Sequence, residues 1–479
     1  MVVAARDAGV VPDAPGSAAD TAALLELGRV FRGRPSRKTL VLASVDGSTL
    51  GEVGTARLAD ELGPPESIDA VLVVSDLGFR GSGDSFAQAW SNDWRRAGIG
   101  LQRTVADSIR QELDRSVEGT GLLGELARLS FPIGIGPQGV LLEDGFDSIR
   151  ISGSGELPPD GNGPVEAIDE DRLGPLGRAT LRTVTAIDQN GRPEHGPDSY
   201  LLAGSQTLPS WVLFLLGGTL LLPILVTSGD ALARARRRQL PVGPWLRWMG
   251  AWTAPFLAGF AVAEVLALAG ATPAPPPAPV APAEVPLDGP ALGVLGGVSA
   301  AMALALLLAR FLAARPDPTL KRPLGPGAAV ALGLVLSASA LLLWVANPYA
   351  ALLAVPAAHL WALVVLTRPT PRPRTRAAMI ALGVLPAALV AVYYLFALSM
   401  NPLEGAWYLL MLVTGHSVGV FTSLVGCVML AALCGATEIA LRVPGEPEPE
   451  VPALGPSVYG PGAYAGPGSL GGTKSALGD

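Results

Sequence analysis

Residues that usually carry metal or redox chemistry are scarce in this sequence. Its 479 residues include two cysteines and three histidines, and both cysteines, Cys427 and Cys434, fall within the last apolar run. Their separation in the sequence would place them about 10 Å apart along a helix axis, which excludes a disulfide bond between them. Residues 1–205 contain no cysteine, so cysteine usage does not indicate the redox compartment of that part.

Charged residues are scarce as well. They make up 16% of the chain and hydrophobic residues make up 49%, a balance that excludes an ordinary soluble enzyme. The net charge of -7 gives no reason to expect a nucleic acid as partner. Residues 1–205 have the composition of a globular domain, residues 206–442 are a series of apolar runs, and residues 443–479 form a Pro/Gly-rich tail that is predicted to be disordered.

Seven apolar runs are long enough to cross a bilayer about 30 Å thick. In chain order they are Trp211–Val226, Trp248–Gly270, Leu292–Leu312, Gly327–Val345, Ala350–Leu366, Ala377–Met400 and Ala406–Ala440. The last run is long for one helix, and it is predicted to be kinked or partly re-entrant near Gly415. The sequence therefore predicts an all-α, multi-pass membrane domain whose main partner is the lipid bilayer.

The loops between these runs alternate in charge. The loops after the first, third and fifth runs hold Arg234, Arg236, Arg237, Arg238, Arg315, Lys321, Arg322, Arg368, Arg372, Arg374 and Arg376. The loops Ala271–Gly289, Ala346–Tyr349 and Asn401–Gly405 contain neither Lys nor Arg. Because basic loops remain in the cytoplasm, we expect a cell-membrane protein with an extracytoplasmic N-terminal domain and a cytoplasmic tail.

Two segments carry further expectations in this topology. Met1–Ala5 has neither the basic start nor the apolar core of a signal peptide, so we expect a signal anchor and the first elements of the domain to precede it. The proline-rich loop Ala271–Gly289 is predicted to be extended and exposed, because repeated proline favours a polyproline II conformation.

The N-terminal domain alternates apolar, strand-like runs with helical patterns. The predicted strands are Val2–Ala5, Thr39–Val45, Ala70–Ser75 and Ser148–Ser152, and the predicted helices are Asp20–Phe31, Thr55–Leu62, Leu101–Leu113 and Asp171–Asp188. This alternation favours a doubly wound α/β domain. Such sheets place their sites at the carboxyl ends of the strands.

A distinctive turn follows the second predicted strand. Residues 46–55 read Asp-Gly-Ser-Thr-Leu-Gly-Glu-Val-Gly-Thr, which resembles the turn Asp-Gly-Glu-Glu-x-Gly-x-x-Gly-Ser of the zinc aminopeptidases and transferrin-receptor-like proteins of peptidase clan MH. In that family the first Glu is the general base and the second binds zinc. Ser48 and Thr49 stand in their place, and neither hydroxyl can perform those functions at neutral pH.

Other family motifs match in part. Val2–Asp7 resembles Val-Val-x-His-x-Asp, with Ala5 at the zinc-binding His and Asp7 at the Asp that orients it. Pro15–Arg29 resembles the stretch with the metal-bridging Asp, which Asp20 matches only after a slip of four residues.

Of the last two zinc ligands of the family, the sequence keeps one and lacks the other. Asp76 keeps a zinc-binding Asp after the third strand, whereas no His lies near Ile151–Gly153, where the last ligand is expected. His195 lies beyond the last helix and cannot replace it. Carboxylates without imidazoles would hold zinc poorly, so the resemblance implies a peptidase-like domain with no catalytic residue, metal site or cofactor.

The first interpretation is therefore a catalytically degenerate peptidase-like domain with a binding or assembly function at the cell envelope. Its ligand would be a peptide, an envelope component or a partner subunit, held in a remnant cleft at Asp7, Asp20, Ser48, Thr49 and Asp76. The alternative for the three aspartates is that they are strand-end or helix-cap carboxylates left after the site decayed. The domain order also resembles that of the GPI transamidase attachment subunit.

Two other functions remain open. One is an active membrane-anchored zinc metallopeptidase with an unusual ligand set, which would require bound zinc. The other is a transporter or flippase-like module with the N-terminal domain as accessory, because Glu264, His359 and His416 lie within apolar runs and ionisable groups there often serve function. The simpler interpretation places Glu264 near the outer interface and gives the two histidines hydrogen bonds between helices.

Overall fold

The computed structural model describes residues 1–7, 14–79, 86–114, 117, 120–158, 168–190, 193–203, 206–274, 276–313, 326–367 and 371–442. They form an N-terminal α/β domain and a C-terminal bundle of long helices. The predicted tail at 443–479 lies outside the described residues, as do four basic loop residues, Arg315, Lys321, Arg322 and Arg368.

A five-stranded sheet in the order β2-β1-β3-β5-β4 forms the centre of the N-terminal domain. Its strands are β1 Val2–Ala5, β2 Leu42–Val45, β3 Val71–Ser75, β4 Phe86–Gln88 and β5 Ser148–Ser152. Strands β1, β2, β3 and β5 are parallel, and β4 pairs antiparallel with β5 at one edge. The predicted α/β sheet is confirmed, although β2 begins three residues later than expected and β4 was not predicted.

Helices cover both faces of this sheet. Val2, Ala4, Leu72 and Val74 pack against α1, α3 and α6, whereas Val3, Val71 and Val73 pack against α2 and α5. The helices are α1 Ala14–Phe31, α2 Val53–Glu61, α3 Ile99–Leu113, α4 Gly121–Ser130, α5 Pro137–Glu143 and α6 Glu170–Gln189. Burial on both faces explains why the central strands are continuously apolar rather than alternating.

The bundle contains seven described helices that are long and apolar enough to cross a membrane. A hairpin of β6 Tyr200–Ala203 and β7 Gln206–Pro209 leads into them. They are α7 Ser210–Arg237, α8 Gly243–Leu268, α9 Gly289–Ala313, α10 Pro326–Ala346, α11 Pro348–Leu366, α12 Pro373–Ala397 and α14 Val420–Arg442. The protein is an integral membrane protein, and its described residues contain the predicted number of spans.

The last predicted run is two helices and not one. Helix α13, Pro402–Thr414, has 13 residues and is about 20 Å long, which is too short to span a bilayer. The chain leaves the helical conformation at residues 415–419, where His416 has a φ of 59°. The expected interruption near Gly415 is confirmed, and α14 alone forms the seventh span.

Helix α4 holds the N-terminal domain against the bundle. The Arg128 guanidinium forms an ion pair with Glu156, and its Nε donates to the Tyr393 hydroxyl of α12 at 3.2 Å. The Asn347 side chain, before α11, donates to the carbonyl oxygens of Leu129 and Ser130 at 3.0 and 3.2 Å. These contacts fix the position of the domain relative to the helix ends.

Candidate binding cleft

A cavity of about 110 Å³, lined by both polar and apolar groups, lies at the carboxyl ends of the parallel strands. All five residues predicted for the cleft line it, namely Asp7, Asp20, Ser48, Thr49 and Asp76. Asp7 follows β1, Ser48 and Thr49 follow β2, and Asp76 follows β3, so the parallel sheet brings their chain segments to one edge. We call this cavity the cleft.

Asp7 accepts hydrogen bonds from Ser48 and Thr49, the two polar residues of the turn after β2. The Ser48 hydroxyl donates to Asp7 Oδ1 at 2.6 Å, and the amide and hydroxyl of Thr49 donate to Oδ2 at 3.1 and 3.2 Å. Partial burial alone would raise the pKa of Asp7, but these hydrogen bonds outweigh it and hold the pKa below its ordinary value. Asp7 therefore stays ionised, and the two hydroxyls serve as its donors.

The glycines of this turn are required by the backbone. Gly47 and Gly51 have φ values of 72° and 81°, which only glycine adopts without cost. A Cβ at Gly54 would lie 1.9 Å from the carbonyl oxygen of Asp46. The glycine pattern of the turn thus has a conformational cause that does not depend on catalysis.

The side chain of Asp20 fixes the backbone at Asp76. The Asp20 carboxylate accepts hydrogen bonds from the amides of Asp76 and Leu77 at 2.7 and 3.0 Å. Asp76 has a φ of 52°, and its Oδ2 accepts a hydrogen bond from Ser154 at 2.7 Å. Asp20 thereby stabilises the left-handed turn that places Asp76 in the cleft.

Two buried charged residues of the cleft were not predicted. Glu52 is 4% exposed and accepts a hydrogen bond from Thr55 at 2.9 Å. Burial raises the pKa of Glu52 to about 8, against the opposing effects of the Thr55 hydrogen bond and the positive charge of Arg150. Glu52 is therefore largely protonated at neutral pH.

Arg150 is the second buried charge. It is 5% exposed and donates through Nη2 to the carbonyl oxygens of Gly155 and Glu156 at 3.0 and 2.6 Å. Its Nε is buried and has no hydrogen-bond partner among the described residues. Burial lowers the pKa of Arg150, and the nearby carboxylates, Asp76 first among them, oppose that effect. An arginine between two isoleucines of a core strand was the available sequence signal.

A loop of the bundle closes the cleft. Pro279, Val280, Ala281 and Glu284, from the segment between α8 and α9, line the cavity opposite the strand ends. Trp407 Nε1 donates to the carbonyl oxygen of Val285 at 3.0 Å, and the Tyr408 hydroxyl donates to that of Val280 at 2.8 Å. We call residues 276–285 the lid. The prediction that Ala271–Gly289 is exposed is wrong for this part, because α13 packs against it.

The lid adds a carboxylate to the cleft. Burial raises the pKa of Glu284, and the negative charge of Asp7 raises it further. The cleft therefore combines ionised Asp7, the largely protonated carboxyl of Glu52, the carboxyl of Glu284 with its raised pKa, and the cation of Arg150. Such an arrangement suits a polar ligand that both donates and accepts hydrogen bonds.

The donor set does not fit a zinc ion. The carboxylates of Asp7 and Asp20 accept hydrogen bonds from neighbouring groups, and Ala5 occupies the position of the expected His. No three His, Cys, Asp or Glu side chains are grouped to hold a metal within the described part of the chain. His195 lies 3.7 Å from Asp147. Asp147 precedes β5 and so lies at the amino ends of the parallel strands, away from the cleft.

The structure brings together two of the three ionisable residues predicted in the bundle. His416 Nε2, in the interruption between α13 and α14, lies 3.7 Å from Glu264 Oε2, near the end of α8 that adjoins the N-terminal domain. His359 lies apart from them, and its Nδ1 is 2.9 Å from the carbonyl oxygen of Val355 in its own helix. The predicted hydrogen bond between helices is thus not formed by His359 within the described region.

No protein-family model matches the chain, and no curated protein matches it. The resemblance to the zinc aminopeptidases therefore rests on the motifs quoted above and stays a prediction.

Glu52 gives the stability of the domain a defined pH dependence. Its pKa is about 8 in the folded protein and near 4.5 in the unfolded chain, so the folded state binds more protons in between. The contribution of Glu52 to stability is therefore fully present below the lower value and is lost progressively as the pH rises to the folded-state pKa. We expect Glu52→Gln to flatten this dependence in thermal unfolding of the full chain.

The matched control for this measurement is Glu66→Gln, because Glu66 is exposed and lies outside the cleft. Its thermal unfolding should keep the pH dependence of the unsubstituted protein. Parallel curves for Glu52→Gln and the unsubstituted protein would contradict the assignment of the dependence to Glu52.

Proposed function

We propose that the N-terminal domain is a non-hydrolytic binding module, carried on a seven-span membrane protein, that holds a peptide or another envelope component in the cleft. The observation that carries this proposal is the cleft itself, a partly open cavity with a mixed polar and apolar lining between the strand ends and the lid. Buried Arg150 lines it, and Asp7 and Asp76 contribute carboxylates. The alternating loop charge supports an extracytoplasmic position for this module.

The size of the cleft limits what it encloses. Its volume of about 110 Å³ is well below the roughly 300–1,000 Å³ of sites that bury a whole drug-sized ligand. The cleft therefore encloses one polar group of a larger molecule. An ammonium group, such as a peptide N-terminus, would pair with the carboxylates, and an acceptor beside it would pair with Arg150.

Hydrolysis lacks the usual groups in this arrangement. Ser48 and Thr49 both donate their hydroxyls to Asp7, and no histidine lines the cavity among the described residues. A nucleophilic hydroxyl needs an adjacent base that accepts its proton, and an ionised, hydrogen-bonded Asp7 with a lowered pKa is a poor one. These features favour binding without turnover.

The test uses the purified full chain, because the lid belongs to the bundle. Titration calorimetry with the tripeptide Ala-Ala-Ala is expected to show binding, and the N-acetylated tripeptide is expected not to bind. Asp76→Asn should weaken binding about tenfold or more, since a charge-assisted hydrogen bond contributes about 1.5–3 kcal/mol. Asp114→Asn is the matched control, because Asp114 also has a left-handed backbone conformation but is exposed and lies outside the cleft.

Zinc content and peptide cleavage are measured on the same sample. About one or two zinc ions per chain that survive dialysis, together with cleavage of the tripeptide, would overturn the proposal in favour of a zinc metallopeptidase. Equal affinity of the free and acetylated tripeptides, or of the unsubstituted protein and Asp76→Asn, would exclude the cleft as an ammonium site.

A second candidate function places the activity in the bundle. The contact between Glu264 and His416 favours it, since Glu264 Oε1 is buried without a hydrogen-bond partner in the described residues and intramembrane carboxylates often serve transport. A flippase-like activity would be measured with fluorescent phospholipids in proteoliposomes. It would be lost in Glu264→Ala and His416→Ala and retained in Asp76→Ala, whereas absence of lipid movement in the unsubstituted protein would exclude it.

A further inference from the structure

Two leucines in the first turn of α4 are exposed, whereas residues 124–130 are buried or partly buried. Leu122 is 55% exposed and Leu123 is 42% exposed. The buried residues of α4 begin at Gly124 and continue to its end at Ser130 with one partly buried exception, Leu126. The exposed pair is therefore confined to the first turn.

The first of these leucines belongs to an apolar stripe that faces the bundle. Leu122, Leu126 and Leu129 have the i, i+4, i+7 spacing of one helix face. Leu126 and Leu129 pack in one cluster with Leu213 of α7 and with Tyr349 and Leu352 of α11. The stripe thus points toward the membrane helices and extends beyond the part that they cover.

Contacts with α12 fix the depth of this segment. A Cβ at Gly124 would lie 3.0 Å from the Tyr393 ring, and Tyr393 lies four residues before the end of α12, about 6 Å along its axis. Leu213 and Leu352 likewise lie within the first turns of α7 and α11. Helix α4 therefore lies beside the ends of the membrane helices and not above them.

The neighbouring surface at this depth is apolar. Phe396, one turn from Tyr393 on α12, is 82% exposed, and Trp211, at the start of α7, is 64% exposed. Large apolar side chains exposed at the ends of spanning helices contact lipid, and tryptophan and tyrosine are typical of the interfacial layer. The covered part of the α4 stripe packs on the same end of α7, through Leu213.

We propose that the N-terminal domain is itself partly immersed in the bilayer, with Leu122 and Leu123 inserted into the interfacial layer of the leaflet on its side. The occupant of the exposed α4 face is lipid acyl chain, because the covered part of the same helix packs on Leu213 of α7 and on Tyr393 of α12, at the helix ends that carry exposed Trp211 and Phe396. Helix α4 thus acts as a short amphipathic anchor, like the interfacial helices of peripheral membrane proteins.

The experiment places an environment-sensitive fluorophore, NBD, on a single cysteine of the full chain. Cys427→Ala and Cys434→Ala remove the native thiols, and Leu122→Cys, Leu123→Cys and Leu25→Cys provide the labelling sites. Leu25 is the matched control, since it is a leucine on α1 that is 71% exposed and α1 packs on the sheet and α6. The protein is reconstituted into phosphatidylcholine vesicles with or without lipid that carries a doxyl spin label near the headgroup.

At positions 122 and 123 we expect blue-shifted emission and quenching by the spin-labelled lipid at least about twofold stronger than at position 25. Quenching as weak as at position 25, combined with full access of aqueous iodide, would show that the segment lies in water and would overturn the proposal. Protection from both quenchers would identify a protein partner on this face and would overturn it as well. Because the substituted leucines are exposed, failure to fold is not expected, and the second labelled position guards against it.

Discussion

Replacing Arg128 with methionine is expected to lower the free energy of unfolding of the N-terminal domain by about 3–5 kcal/mol, because it leaves a buried carboxylate unpaired. The side chains of Arg128 and Glu156 are 4% and 9% exposed, and Arg128 Nη1 donates to Glu156 at 2.6 Å and to the carbonyl oxygen of Ile133 at 2.9 Å. Hydrogen exchange of the β3 amides in the full chain measures the loss, because these central amides exchange only when the domain opens.

The same substitution should loosen the domain from the bundle. The Arg128 guanidinium lies 4.6 Å from the centre of the Trp90 ring and 5.5 and 5.1 Å from the centres of the Tyr393 and Tyr394 rings. It therefore joins the domain to α12 as well as pairing with Glu156. Hydrogen exchange of the α4 amides is therefore expected to become faster together with that of the β3 amides.

Two controls separate the buried pair from a general effect of removing arginine. Arg128→Met combined with Glu156→Gln should recover most of the lost stability, because no unpaired charge remains. Arg57→Ala removes an exposed pair with Glu61 and should cost less than about 0.5 kcal/mol. If Arg128→Met costs no more than Arg57→Ala, the buried ion pair does not stabilise the domain.

Replacing Trp407 with alanine is expected to destabilise the packing of the lid by about 3–5 kcal/mol, as for other large buried aromatic residues. Trp407 is 2% exposed and its indole N–H donates to Val285. Its loss leaves a cavity in α13 and an unpaired carbonyl in the lid. Hydrogen exchange of the lid amides in the full chain should become faster, while exchange at β3 should change little.

Tyr408→Phe is the graded comparison, because it removes only the hydroxyl that donates to Val280. It should cost about 1 kcal/mol and accelerate exchange of the lid less than Trp407→Ala does. Trp211→Ala is the control for removal of an exposed tryptophan. Unchanged lid exchange in Trp407→Ala would show that the lid does not depend on α13.

The sheet and the spans could be predicted because their signals are local and continuous. Val71–Ser75 is apolar over its whole length because both of its faces are covered, and each span is a single long apolar run. The interruption of the last run could be predicted from Gly415. By contrast, α4 and α5 were missed because they have only ten and seven residues, which is too short for a helical period to stand out in the sequence.

The site could be predicted only in part because half of it comes from distant segments. The aspartates and hydroxyls of the cleft follow strands that the sequence reveals, but the lid is held by residues more than a hundred positions away. Proline content in the lid predicted exposure, and tertiary packing overrode it. The burial that sets the pKa of Glu52 comes from tertiary packing, which its local sequence does not indicate, whereas the position of Arg150 between two isoleucines was a local signal.

The origin of the lid in the bundle sets an order of events during biosynthesis. Every strand of the five-stranded sheet is translated before residue 276, the first residue of the lid, so a nascent N-terminal domain has an open cleft. Closure follows only after α8 has been inserted and α13 has been made, when the covalent tether holds the lid at a high effective concentration beside the strand ends. A chain that stops before α13 would therefore present an uncovered cleft, and capture of ligand in a closed cleft would mark molecules in which the first six spans and α13 have been made.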